Sequence, residues 1–123
     1  MGGFIMSWDI YLKDPVSKEV ITLPFEHHMY GGTYRIGGTN ELWLNVTYNY
    51  GKVYREKTNG LTLDYLDNKI AYDTIDFLEG LIKSLSDDVS DDYWEATEGN
   101  AKKAIYQLLI FARMRPDGIW EVS

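Results

Sequence analysis

Residues 30–50, YGGTYRIGGTNELWLNVTYNY, carry two glycine pairs and the strongest strand signal in the chain. From Glu41 onward the residues alternate. Leu42, Leu44, Val46, Tyr48 and Tyr50 share one face; Glu41, Trp43, Asn45, Thr47 and Asn49 share the other. A period of two, with aromatic and β-branched residues, predicts a half-buried strand. Its outer face sets a tryptophan among amides, a surface suited either to a covering helix or to a flat ligand. Gly31 with Gly32, and Gly37 with Gly38, read as turns or bulges, since glycine accepts positive φ and close backbone approach. Neither pair has the strand, glycine loop and helix of a phosphate cradle.

Upstream, residues 7–13 alternate Trp8, Ile10 and Leu12 against Asp9, Tyr11 and Lys13. Asp14 and Pro15 break the run, because proline restricts its own φ and the residue before it. Residues 19–23 read as a second strand ended by Pro24, and the two strands as a hairpin. His27 and His28 are neighbours, so on a strand they point to opposite faces and chelate poorly. With no cysteine and no other histidine, no metal site and no cofactor is expected, and the pair reads as surface or interface.

Downstream of Gly51, residues 53–56 read as more strand, Asn59 and Gly60 as a tight turn, and Leu61 and Leu63 as a last short strand. Two helices follow. Ala71, Ile75, Leu78, Ile82 and Leu85 form one apolar stripe over residues 69–85, with Asp67, Asp73 and Asp76 at the amino end and Lys83 at the other. The segment SDDVSDD, residues 86–92, lacks EF-hand spacing and reads as a solvated loop. Thr97 caps a second helix running to Met114, whose stripe of Ala101, Ala104, Ile105, Leu108 and Ala112 is widened by Leu109 and Phe111. A helix so apolar around its girth calls for cover on two sides, by the sheet and by another subunit. Residues 119–122 add an edge strand. Strands first and helices after predict one α+β domain over residues 1–123: an N-terminal antiparallel sheet of about four to five strands, then two α-helices, assembled as an oligomer.

The chain has 123 residues, enough for one core, and a net charge of −7 from 19 acids and 12 bases. Direct DNA binding is not expected without a basic footprint. No apolar run approaches the roughly 20 residues of a membrane span. Residues 1–6 are too short and uncharged for a secretion signal, so the Asn45-Val46-Thr47 sequon reads as strand and the compartment as cytoplasm. Serines lack nucleophile-elbow context, so catalysis is the weaker expectation. Binding has better material. The amino end of the second helix offers N–H groups beside Gly99 and the amide of Asn100, an anion-favouring place. Trp94 lies just upstream, where a ring can stack on a base. Arg113 and Arg115 close the same helix, and Arg35 and Arg55 are expected from the sheet; arginine's planar fork suits phosphate oxygens.

The strings GGTYRIGGTNELWLNVTYNY, SDDYWEATEGNAKKA and RPDGIWE resemble small phage and prophage proteins of the anti-Thoeris sponge family. The resemblance covers almost the whole chain. It implies a sheet followed by two helices, assembled into dimers and hexamers. It also implies sequestration of cyclic ADP-ribose-type signals, and in some members cyclic oligonucleotides, without cleavage, in the host bacterial cytoplasm. The family's ligand arginines and asparagine match best at Asn100, Arg113 and Arg115. The competing reading, favoured by the net charge, is an acidic anti-CRISPR-like protein that blocks a basic nucleic-acid surface.

Overall fold

A computed structural model describes residues 7–28, 38–92 and 95–123. Arg35, Trp94 and three of the four paired glycines lie outside these residues. The fold is α+β. Strands β1 (Ser7–Lys13), β4 (Trp43–Thr47) and β5 (Ile119–Val122) form an antiparallel sheet in the order β4-β1-β5. Strands β2 (Thr22–His27) and β3 (Thr39–Glu41) form a separate pair. Three helices follow from the middle of the chain: α1 (Gly51–Lys57), α2 (Ala71–Ser84) and α3 (Glu98–Met114).

Register decides which side chains are buried. Trp8 faces Val46, Ile10 faces Leu44 and Leu12 faces Trp120 across β1, all on the helix-covered face. Trp120 also donates its indole N–H to Thr74 Oγ1 on α2 (3.0 Å), which ties sheet to helix inside the core. Asn45 and Thr47 are buried within β4, as a strand reading of the sequon requires.

The expected hairpin is short. Asp14 Oδ1 accepts from the N–H groups of Val16 and Ser17, which fixes the turn. Two backbone bonds, Asp14 N–H to Glu19 and Ile21 N–H to Leu12, then close it. Beyond Ile21 the chain leaves β1 and pairs with β3 instead. Pro24 lies inside β2 rather than ending it, a position an edge strand tolerates. His27 is buried against the Phe111 ring, centroids 5.6 Å apart, and its Nε2 meets the Glu41 carbonyl oxygen, so it is not a surface residue.

The larger correction falls after Thr47. The strand stops there, and Tyr48–Tyr50 forms a 3₁₀ turn that runs into α1, making three helices rather than two. Thr47 Oγ1 accepts the Asn49 N–H and caps the turn. Tyr50, Val53 and Tyr54 are spaced three and one apart, so one helical face buries all of them, and the Tyr54 hydroxyl donates to the Ala101 carbonyl of α3 (2.9 Å). Leu63 and Leu66 are likewise buried from a 3₁₀ turn, not a strand.

Helix α2 has no side-chain cap. The Gly118 and Pro116 carbonyls accept the N–H groups of Ala71 and Tyr72, so the approach to β5 performs the capping. The outer edge of β5 is closed in turn by residues 67–70: Trp120 exchanges backbone bonds with Lys69 and Asn68, and Asp67 Oδ1 accepts the Val122 N–H. Among the described residues no helix is long and apolar enough to cross a membrane.

Candidate functional site

Asn100 is buried, and its amide holds the preceding loop. Oδ1 accepts the Ser90 N–H (3.2 Å), and Nδ2 donates to the carbonyls of Asp92 (3.2 Å) and Glu95 (3.0 Å). The N–H groups expected to meet an anion are spent as well: Gly99 donates to the Asp88 carbonyl and Asn100 to Thr97 Oγ1. A methyl group at Gly99 would sit 2.6 Å from the Asp88 carbonyl, so glycine is what admits the loop so closely. Glu98 accepts the Ser86 N–H and pairs with Lys57; these contacts, the backbone bond foremost, hold its carboxyl below the ordinary range. Lys102 pairs with Asp87. The 86–92 loop therefore exposes its acids while its backbone is pinned to α3.

Arg113 and Arg115 stand at the far end. Arg113 lies thirteen positions beyond Asn100 along the helix, about 20 Å, so within one chain they do not share a small ligand. Arg113 pairs with Glu79 of α2. Arg115 forks onto Asp117 through Nε and Nη2 (both 2.9 Å) and reaches Asp14 Oδ2 (3.1 Å). These bonds raise its pKa further.

Asp14, held by the Ser17 and Val16 N–H groups and then by Arg115, has its pKa lowered from 3.8 to about 2. A carboxyl that is more acidic when folded adds stability above its unfolded value and loses it as pH falls toward the folded one. Stability should thus decline between pH 3.8 and about 2 through this group. Urea unfolding across that window should show a shallower decline for Asp14→Asn than for the unaltered chain. Equal slopes would mean that the turn and Arg115 do not act through this charge.

Arg55 lies on α1, not on the sheet. There it shares a helix face with Lys52, three residues earlier. The two line a cleft of about 390 Å³ with Tyr48, Asn49 and Ala96. That volume lies within the ~300–1,000 Å³ of small-molecule sites. Tyr48 is 40% exposed and meets buried Trp8 edge-on, centroids 4.7 Å apart, which holds the ring at the rim. Gly51 leaves room for the Arg55 guanidinium, whose Nη1 would be 3.2 Å from a β-carbon there. Among the described residues neither Arg55 nor Lys52 has an ion-pair partner, whereas Arg113 and Arg115 do. Sequence reasoning missed Lys52 and Tyr48 because a strand sends residues 52 and 55 to opposite faces; the spacing of Tyr50, Val53 and Tyr54 was the available signal. The cleft brings together two cations, an amide and a phenol, groups suited to an anionic ligand with a flat part. No protein-family model, curated protein or solved structure matches the chain.

Proposed function

We propose that this protein binds a phosphate-bearing cyclic nucleotide in the Tyr48–Arg55 cleft and withholds it, uncleaved, from a host immune effector. The ligand class, a cyclic ADP-ribose isomer or a cyclic oligonucleotide, the bacterial cytoplasm as setting and the anti-Thoeris role come from the resemblance. What supports the cleft is one observation: on a chain of net charge −7, Arg55 and Lys52 have no carboxylate partner among the described residues and stand beside an exposed ring. An unpaired guanidinium is available to phosphate oxygens at no cost of breaking a protein ion pair. Of the six residues singled out in the sequence, Arg55 is thus the one we assign to the ligand. Self-association is part of the proposal. Tyr106, Ile110 and Met114 recur every four residues on α3 and are 47%, 42% and 42% exposed, an uncovered apolar stripe opposite the core.

The test is uptake and release. The protein is incubated with a cyclic ADP-ribose isomer, heated, and the supernatant analysed; intact ligand is expected. Arg55→Ala should weaken calorimetric binding roughly ten- to a hundredfold, as for loss of a charge-assisted contact, with melting unchanged. Arg113→Ala, which breaks only an exposed ion pair, should bind as before. A cleaved product would make the protein an enzyme, and equal binding by Arg55→Ala would refute the cleft. Light scattering on the same sample should show at least a dimer; a strict monomer removes the assembly from the proposal. A second reading, an acidic protein that occupies a basic surface, is favoured by the exposed Asp87, Asp88, Asp91 and Asp92 on their pinned loop. Absence of all nucleotide uptake would support it.

A further inference from the structure

The Asn59-Gly60 turn lies outside the cleft, yet it closes the helix that carries Arg55. Helix α1 stops at Lys57, and Asn59 and Gly60 then both take positive φ, 58° and 96°. The Gly60 N–H folds back and donates to the Arg55 carbonyl (2.9 Å), the bond that ends a helix through a left-handed residue. Thr58 ties the turn from the other side. Its hydroxyl donates to the Tyr54 carbonyl (2.7 Å) and accepts the Leu61 N–H (3.0 Å). Between these ties Asn59 and Gly60 project as an exposed tip. The Asn59 amide makes no hydrogen bond among the described residues, and a β-carbon at Gly60 would meet no atom within 4 Å. Of the six asparagines in the chain, Asn59 alone precedes a glycine.

We propose that Asn59 is a site of spontaneous modification, where ring closure onto the Gly60 nitrogen and hydrolysis release the end of α1 that presents Arg55. The Gly60 nitrogen, losing its proton, attacks Cγ of Asn59. The side-chain nitrogen takes up a proton and leaves as ammonia, and a succinimide joins the two residues. Water then opens the ring at either carbonyl, to aspartate or to isoaspartate. No further reactant is needed. Glycine favours the step because no β-carbon shields its nitrogen, and the untied Asn59 amide is free to turn toward it. The obstacle is the bond to the Arg55 carbonyl, which must open first. At an exposed end of a seven-residue helix such opening costs little. The other asparagines precede residues with β-carbons, and Asn45 and Asn100 are buried besides. Both products place a new carboxylate at the C-terminal end of α1, where the helix dipole disfavours negative charge. Isoaspartate also runs the main chain through the former Asn59 β-carbon, an added methylene that carries the Gly60 N–H away from the Arg55 carbonyl. The effect on the cleft rests on the nucleotide reading; the modification does not.

The full chain is held for days at mildly alkaline pH, digested and mapped by mass spectrometry, with isoaspartyl methyltransferase labelling to distinguish the two products. The mass gain of an amide turned to acid is expected first in the peptide that holds residues 59 and 60, with isoaspartate the larger product. Asn59→Gly, which keeps a residue suited to the left-handed position, should lose that gain entirely. In the separated isoaspartyl form the Gly60 amide should exchange with solvent faster than in the fresh chain, as followed by NMR. A cyclic ADP-ribose isomer should bind that form more weakly. A fresh chain that binds no nucleotide would remove the cleft and leave the modification standing. Three results would each overturn the proposal: no gain at residues 59 and 60, an earlier gain at another asparagine, or a Gly60 amide equally protected in both forms. Equal nucleotide binding by the two forms, where the fresh chain binds, would overturn the release of Arg55.

Discussion

Asn100→Ala is expected to destabilise the protein by roughly 3 kcal/mol, about one for each of the three loop hydrogen bonds it removes. The amide is buried, so the Ser90 N–H and the Asp92 and Glu95 carbonyls lose a partner in a place water reaches poorly. For a chain of this size the melting temperature should fall by on the order of 10 °C. Thr97→Ala, which removes a single capping bond, is the graded control and should cost about 1 kcal/mol. Binding should weaken too, but indirectly, because the loop pinned by Asn100 leads to Ala96 at the cleft wall. Thermal melts and calorimetry on both variants separate the two roles. Intact melting with lost binding in Asn100→Ala would restore the asparagine to the ligand, as the family resemblance implies.

Trp120→Ala should be costlier still, about 3–5 kcal/mol, in the range for truncating a large buried aromatic. Trp120 is fully buried, fills the space between β5 and α2, and satisfies Thr74 through its indole N–H. Its backbone also holds residues 68 and 69 against the sheet edge, so the cavity would open beside the junction that caps α2. Trp120→Phe keeps most of the apolar volume and loses the hydrogen bond, and should cost less than half as much. Urea denaturation of both variants checks this. A loss under about 1 kcal/mol for the alanine variant would mean that α2 and the sheet pack largely without this ring.

The outline of the fold was legible because long apolar stripes are hard to mistake. Ala71 and Leu78 on α2, and Ala101, Ile105, Leu108 and Ala112 on α3, are all buried where their spacing placed them. The junction after Thr47 was not legible, since Val46, Tyr48 and Tyr50 satisfy a period of two, while Tyr50, Val53 and Tyr54 satisfy a helical one. Tertiary contact, namely Tyr54 reaching Ala101, decides between two patterns that overlap in the letters. The candidate site suffered from that overlap, because Lys52 and Arg55 converge only on a helix. Asn100 fits two chemistries that the letters do not separate. An amide at a helix start can bind a ligand or hold its own loop, and only the carbonyls of Asp92 and Glu95 distinguish the two.

The central position of β1 bears on how the chain reaches its native state. Its two neighbours are β4, some thirty-five residues on, and β5, found only after nearly the whole chain has passed. Pairings of such long sequence separation slow folding, because loop closure must precede the contacts that reward it. Helices α2 and α3 follow one another in the chain and both precede β5, whereas Ile10 and Leu12 wait for Trp120 and Val122. Without β5 the second edge of β1 would be bare, the kind of edge open to strand exchange between molecules. In the folded chain β5 covers that edge and is itself locked from outside by Asp67 and Lys69, so the two ends of the chain together seal the sheet.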